Sequence, residues 1–150
     1  SPDKFDNLVA DRLQAMKFNV EKIGNTYSRD GGIDLLAWNK ASPFPFILAV
    51  QVKHHKPGRT VGPSVVREFQ GVIENQPIDV GVLVTNTRFT PDAQWVAKQR
   101  RRIVRLRDFQ SLRNWLYDEF SDESVMGELP DTLELARDVT ITIPKVLRRR

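Results

Sequence analysis

Apolar residues recur every third or fourth position from Phe5 through Leu8, Val9 and Leu13 to Met16. That spacing places them on one face of a helix. Ser1, Pro2 and Asp3 ahead of it supply a cap, a pre-set first φ and a first-turn acid. The period then changes. Phe18 to Ile23 and Ile33 to Trp38 read as strands, separated by a polar stretch that ends in the turn signal Asp30-Gly31-Gly32. In the second strand Ile33, Leu35 and Ala37 are expected on one face and Asp34, Leu36 and Trp38 on the other. Asn39 to Pro45, with two prolines, is a loop. Phe46 to His54 is the clearest strand, with Leu48, Val50 and Val52 facing one way and Ala49, Gln51 and Lys53 the other.

Lys56-Pro57-Gly58-Arg59 breaks that strand. Pro63 to Asn75 carries Val65, Val66, Phe69, Val72 and Ile73 as a helical stripe. Val80 to Thr85 is an unbroken apolar run, as in a strand covered on both faces. Thr90-Pro91-Asp92 starts a helix to about Arg100, Ile103 to Leu106 reads as a last strand, and Asp108 to Phe120 closes as a helix carrying Phe109, Leu112, Leu116 and Phe120. Trp95, Trp115 and Phe120 are expected in the core rather than as base-stacking surfaces. The order helix, three strands, helix, strand, helix, strand, helix predicts an α/β domain over residues 1–120, with a central mixed β-sheet flanked by helices. Residues 121–150 form a C-terminal extension of weaker pattern. There Val139 to Ile143 alternates like a strand, and Pro144 restricts it to an edge or an extended tail.

Composition narrows the class. With 150 residues, 40% hydrophobic and 28% charged, the chain resembles one ordinary soluble domain. No apolar run approaches the ~18 residues of a membrane span, and the N-terminus lacks the apolar segment of a secretory signal. The first residue is Ser, so the chain reads as a piece of a longer protein. Cysteine is absent, which excludes disulfides, thiolate zinc sites and cysteine nucleophiles and fits a reducing cytoplasm. The net charge of +4 is concentrated: residues 98–107 carry six basic side chains and no acid, and Arg148 to Arg150 add three. Elsewhere acids outnumber bases. A phosphate-facing patch through Arg100, Arg101, Arg102 and Arg105 has this signature; a solvated helix end with a basic tail has it too.

Three polar residues sit on otherwise apolar strands: Asp34 on one, Gln51 and Lys53 on the next. Burying such groups is costly unless they are paired or bind something. If the strands are neighbours, Asp34 lies beside Gln51 and Lys53. Phosphodiester hydrolysis calls for a hard cation that polarises the phosphate and activates water, and Mg²⁺ takes oxygen ligands. The Asp34 carboxylate, the Gln51 side-chain oxygen and the Val52 carbonyl are three such ligands, and Lys53 is placed to hold the attacking water or to stabilise phosphorane charge.

The stretches Phe5-Asp6-Asn7-Leu8-Val9, Asp30-Gly31-Gly32-Ile33-Asp34-Leu35, Gln51-Val52-Lys53-His54 and Val82-Leu83-Val84-Thr85, followed by Arg88-Phe89-Thr90 and Ala93, resemble the Mrr-like branch of the PD-(D/E)xK nuclease superfamily over about residues 3 to 116. The resemblance implies a restriction-endonuclease-like fold, DNA as the partner, and Mg²⁺-dependent cleavage with Mn²⁺ as a substitute ion. It implies catalytic roles for Asp34, Gln51 and Lys53. Two positions depart from the pattern. Gln51 stands where the superfamily has an acid, as is familiar in this branch, and Asp6 stands where the first helix typically has a Glu. Asp6 reads either as a further metal-site group or as a solvated first-turn acid. His54 and Lys56, with His55 and Arg59, read as phosphate contacts or plain surface. Ser64 and Arg67 lie near a helix start that favours a phosphate, and Gln70 one turn on. The leading expectation is an endonuclease domain in restriction or defence. The alternative is a DNA-binding module that kept the fold and does not cut. A homodimer would supply two sites for duplex cleavage, and specificity or ATPase modules would lie outside this chain. Recognition sequence and methylation dependence leave no trace in the sequence.

Overall fold

A computed structural model describes residues 2–23, 32–39, 43–44, 46–99, 104–117 and 131–143. The expected Asp30-Gly31 turn, Arg100 to Arg102, Phe120 and Arg148 to Arg150 lie outside these residues, as does the Trp115 side chain. Contacts divide the chain into two compact units, Ser1–Arg113 and Asn114–Arg150.

In the first unit, α1 (Pro2–Ala15) leads into β1 (Phe18–Lys22), β2 (Leu35–Asn39) and β3 (Ile47–Lys53). After β4 (Thr60–Val61) come α2 (Pro63–Glu74), β5 (Val80–Thr85), β6 (Arg88–Phe89), α3 (Pro91–Gln99), β7 (Val104–Arg107) and the start of α4 (Phe109–Tyr117), within which the division between the units falls. The five-stranded sheet has the order β1-β2-β3-β5-β7. β1, β2 and β3 pair antiparallel, whereas β3, β5 and β7 pair parallel. Each parallel step runs through a helix, as a crossover requires. The expected central mixed sheet flanked by helices is the fold observed. The two-residue parallel pair β4–β6 is too short to have a periodic signal.

One face of the sheet packs on α2 and α3 around Ala49, Val66, Phe69, Ile73, Leu83, Ala93, Val96 and Val104. Gly81 makes this contact possible, because a Cβ there would come within 2.7 Å of Ile73 and 2.8 Å of Phe69. The expected cap of α3 is present: the Ala93 N–H donates to Thr90 Oγ1 at 3.1 Å, satisfying one of the helix's unpaired first-turn donors. The other face carries Leu35, Ala37, Val50, Val82 and Val84, and α1 contributes buried Val9, Ala10 and Leu13. In the second unit, β8 (Thr132–Ala136) and β9 (Val139–Thr142) form an antiparallel hairpin with a bulge between Glu134 and Ala136. The segment expected as an edge or tail is thus the second strand of a hairpin.

Candidate active site

The pairing of β2 with β3 is irregular where β2 begins, opposite the end of β3. Leu35 is the register partner of Val50, yet the Asp34 N–H donates to the same Val50 carbonyl at 2.8 Å. Two successive residues therefore face one, which is a β-bulge, and a bulge re-aims the side chain that sits in it. The alternation expected from Ile33 onward breaks here. Ile33 joins the cluster around Phe69 and Leu83, while Leu35 and Ala37 pair with Val50 and Leu48 on the opposite face. Released from the regular pleat, the Asp34 carboxylate reaches across to β3, where its Oδ2 accepts the Val52 N–H at 2.6 Å.

That bond sets the Asp34 carboxylate against the backbone between Gln51 and Lys53. In an extended strand the N–H and C=O of one residue point to the same edge, so the Val52 carbonyl faces the Asp34 side too. Gln51 is one of only two buried polar side chains among the described residues, at 8% exposure. Its amide lies directly over Gly32, whose φ is +78° and where a Cβ would overlap the amide nitrogen. Glycine is needed there both for the left-handed backbone and for the close approach. Lys53 is half-buried and sits opposite Thr85 of β5.

α1 arrives at the same end of β3. The Phe5 ring meets the His54 ring edge-on, with centroids 6.0 Å apart and planes at 66°. Asp6, the next residue, is half-buried. The remaining candidates are more scattered. His54 and Lys56 are exposed just past the strand, and Ser64 and Arg67 are exposed on α2, whose cap is Gly62 with no side-chain bond. Gln70 turns to α3 instead, its Nε2 donating to the Val96 carbonyl at 3.3 Å.

Asn86 is a residue that sequence reasoning missed. Its Oδ1 accepts the His55 N–H at 2.8 Å and its Nδ2 donates to the His55 carbonyl at 2.9 Å. It thereby fixes the chain leaving the Gln51-Val52-Lys53 strand to the end of β5. A polar residue after an apolar strand is so common that no local signal marks it. One other expectation needs correction. Trp95 is 62% exposed, so it is not core, and Phe109 of the expected helical stripe is 55% exposed as well; periodicity finds a stripe but not whether anything covers it. Of the basic run, Arg100 to Arg102 lie outside the described residues. Lys98 is exposed on α3, whereas Arg105 and Arg107 are half-buried on β7, facing the same side as their register partners Val82 and Val84.

The restriction endonuclease family, in its Mrr catalytic-domain form, matches residues 1–116. No curated protein matches the chain. Among solved structures, the restriction endonuclease MspJI in complex with a 27-mer oligonucleotide is similar at 19% identity and a TM-score of 0.55, over 83% of this chain and 30% of that one. The DNA modification-dependent restriction endonuclease AspBHI is similar at 21% identity and a TM-score of 0.57, over 77% and 31%. A protein of unknown function, AF1548, is similar at 18% identity and a TM-score of 0.55, over 76% and 58%. These likenesses bear on the fold, and the chain spans less than two thirds of each of the three. No described helix is long and apolar enough to cross a membrane. With the family matched across more than three quarters of its length, the chain belongs to the restriction endonuclease family as a nuclease domain of the Mrr catalytic type.

Proposed function

We propose that residues 1–120 form a divalent-metal-dependent endonuclease domain that cuts DNA phosphodiester bonds in a restriction system, acting in the cytoplasm, with residues 121–150 as a C-terminal extension. The observation that carries this reading is the Asp34 Oδ2 to Val52 N–H bond of 2.6 Å. It draws a carboxylate to the one strand segment where Gln51 and Lys53 interrupt an apolar face. DNA as the substrate is supported by the family and by the oligonucleotide bound to MspJI.

The donor set fits a hard cation. Among the described residues no group of three His, Cys, Asp or Glu comes together. The oxygens available are the Asp34 carboxylate, the Gln51 amide oxygen and the Val52 carbonyl, the types that Mg²⁺ or Mn²⁺ takes. Asp6 adds a second carboxylate from the end of α1. Such an ion, when bound, polarises the phosphate and lowers the pKa of water. Asp34 contributes charge and is oriented by the Val52 N–H. Gly32 leaves the space that the Gln51 amide occupies. Lys53 puts a cation beside the scissile phosphate, where negative charge grows in the transition state. His54, Lys56, Ser64 and Arg67 supply phosphate contacts around it. Cutting both strands of a duplex takes two such sites, supplied by a homodimer, and sequence recognition comes from modules beyond these residues.

The test is incubation of the purified chain with supercoiled plasmid, in Mg²⁺, Mn²⁺ or EDTA, beside Asp34→Asn. Asn keeps an oxygen for the Val52 N–H and removes the charge, so the fold survives while nicking stops. A parent that binds DNA tightly yet never cuts in either ion would favour the second reading, a non-cleaving DNA-binding module. The neutral Gln51 in place of an acid is the feature that favours it.

A further inference from the structure

A pocket of about 290 Å³ opens beside the proposed site, between the loop 57–60, the turn after β5 and the start of α4. Exposed Arg59 and Arg88 line it together with Asn86, Thr87, Asp108 and Phe109. We propose that this pocket takes one nucleotide of the cleaved DNA strand, with its base stacked on Phe109 and its flanking phosphates on Arg59 and Arg88.

The inference rests on the nuclease reading and extends it from the scissile phosphate to the next nucleotide along the strand. Three observations carry it. Phe109 leaves 55% of its surface exposed at the pocket's edge. It stands on a fixed backbone, since its N–H donates to the Thr87 carbonyl at 3.1 Å. An exposed aromatic ring on a rigid mount is how sequence-tolerant strand binding is built, because every base has a π-face. The charge is complementary too. Arg59 and Arg88 bring two guanidiniums, and the one acid in the wall is already engaged: Asp108 Oδ1 accepts the Ser111 N–H at 2.9 Å and the Ser111 hydroxyl at 3.0 Å, capping α4. Size points the same way. The volume lies just under the roughly 300–1,000 Å³ of ligand pockets, enough for one base with its sugar.

Position ties the pocket to the chemistry. Lys53 is the register partner of Thr85, and Asn86, the next residue, lines the pocket. Adjacent strands lie about 4.8 Å apart and one residue advances about 3.3 Å, so the pocket wall begins one short step from Lys53. The hydrogen bonds from Asn86 to both backbone groups of His55 hold the exit of β3 and the pocket wall as one piece. A strand with its scissile phosphate at Lys53 therefore lays its neighbouring nucleotide over Phe109.

The test uses the full chain and fluorescent oligothymidylate in Ca²⁺, read by anisotropy. Phe109→Ala should weaken binding roughly 5- to 100-fold, the range for losing one aromatic–base stack. Phe109→Tyr should stay within about two-fold of the parent, since it keeps the π-face. Arg59→Ala with Arg88→Ala should flatten the salt dependence by about 0.7 in slope per contact. Parental affinity in Phe109→Ala, equal loss in Phe109→Tyr and Phe109→Ala, or no binding of oligothymidylate by the parent would each overturn the proposal. Plasmid cleavage by the parent separates the two readings. A parent that cuts while Phe109→Ala binds normally loses the pocket alone. A parent that never cuts, but whose binding depends on Phe109, keeps the pocket and loses the nuclease.

Discussion

Two carboxylates hold the two ends of β3 by the same bond. At its start the Asp79 Oδ2 accepts the Ile47 N–H at 2.7 Å, and near its end the Asp34 Oδ2 accepts the Val52 N–H at 2.6 Å. Geometry alone does not separate them. Their settings do. Asp79 is exposed in the approach to β5, with Ile47 and Leu48 beside it on β3. Asp34 is half-buried in a bulge, and the β3 residues flanking its bond are Gln51 and Lys53. An acid that only completes a strand edge needs its oxygen but not its charge. An acid that serves chemistry needs both. The difference teaches that a hydrogen bond identifies position, and that its neighbours identify role.

The sharpest way to break the comparison is to remove charge and keep oxygen at both ends. Asp34→Asn should slow DNA cleavage on the order of 1,000-fold, since ion-assisted charge stabilisation is worth several kcal/mol. Asp79→Asn should cut within about two-fold of the parent. Both should unfold in urea within about 1 kcal/mol of the parent, because an amide oxygen still accepts the strand N–H. Equal loss of cleavage in the two variants would mean that β3 merely needs both ends tied, and that Asp34 has no special role.

Lys53 sharpens the comparison from the other partner's side. Its charge acts mainly in the transition state, so its loss falls on the chemical step rather than on binding. Lys53→Ala should cut at least ~100-fold more slowly, the scale of one electrostatic catalytic donor. Its DNA affinity in Ca²⁺ should stay within a few-fold of the parent, taking the lost phosphate contact as roughly 1 kcal/mol. Gel-shift titration and a cleavage time course on one preparation decide this. Normal cutting by Lys53→Ala would reduce the Gln51-Val52-Lys53 pattern to a coincidence of strand alternation.

What the sequence revealed follows the same division. Where the chain is regular, period and caps located the elements: the stripe of α2, the apolar run of β5 and the Thr90 cap all sit where their patterns place them. The polar residues Asp34, Gln51 and Lys53 were visible because each interrupts such a pattern. The bulge was not. Alternation assumes an unbroken pleat, so it put Ile33 on the face of Leu35, and only the Asp34 N–H to Val50 bond reveals the slip that brings Asp34 to Val52. Asn86 was invisible for a different reason: its two bonds to His55 join residues 31 apart in sequence. The exposure of Trp95 and Phe109 depends on what fails to cover them, which no local pattern records.

The smallest expected effect concerns Gln51, and it probes why this end of β3 carries so little negative charge. With an amide at Gln51 where an acid would add a charge beside Asp34, the proposed site attracts a divalent ion less strongly than it would with acids at both positions. Gln51→Glu keeps the shape and adds a charge next to Asp34. Without metal the variant should be less stable, since two nearby acids repel and Gln51 is 8% exposed in a setting that disfavours a bare charge. With metal the attraction of both carboxylates to the cation outweighs their mutual repulsion. The Mg²⁺ concentration at which the melting temperature begins to rise should fall about ten-fold, a difference of about 1.4 kcal/mol in binding. Ligand binding to the native state alone raises the melting temperature, so a Mg²⁺ titration of thermal unfolding measures this without any DNA. The paired prediction is a lower melting temperature in EDTA and a steeper rise with Mg²⁺ than in the parent. If the two proteins respond to Mg²⁺ alike, the Gln51 side chain does not face the ion, and the buried amide over Gly32 serves only to shape the mouth of the β2–β3 bulge.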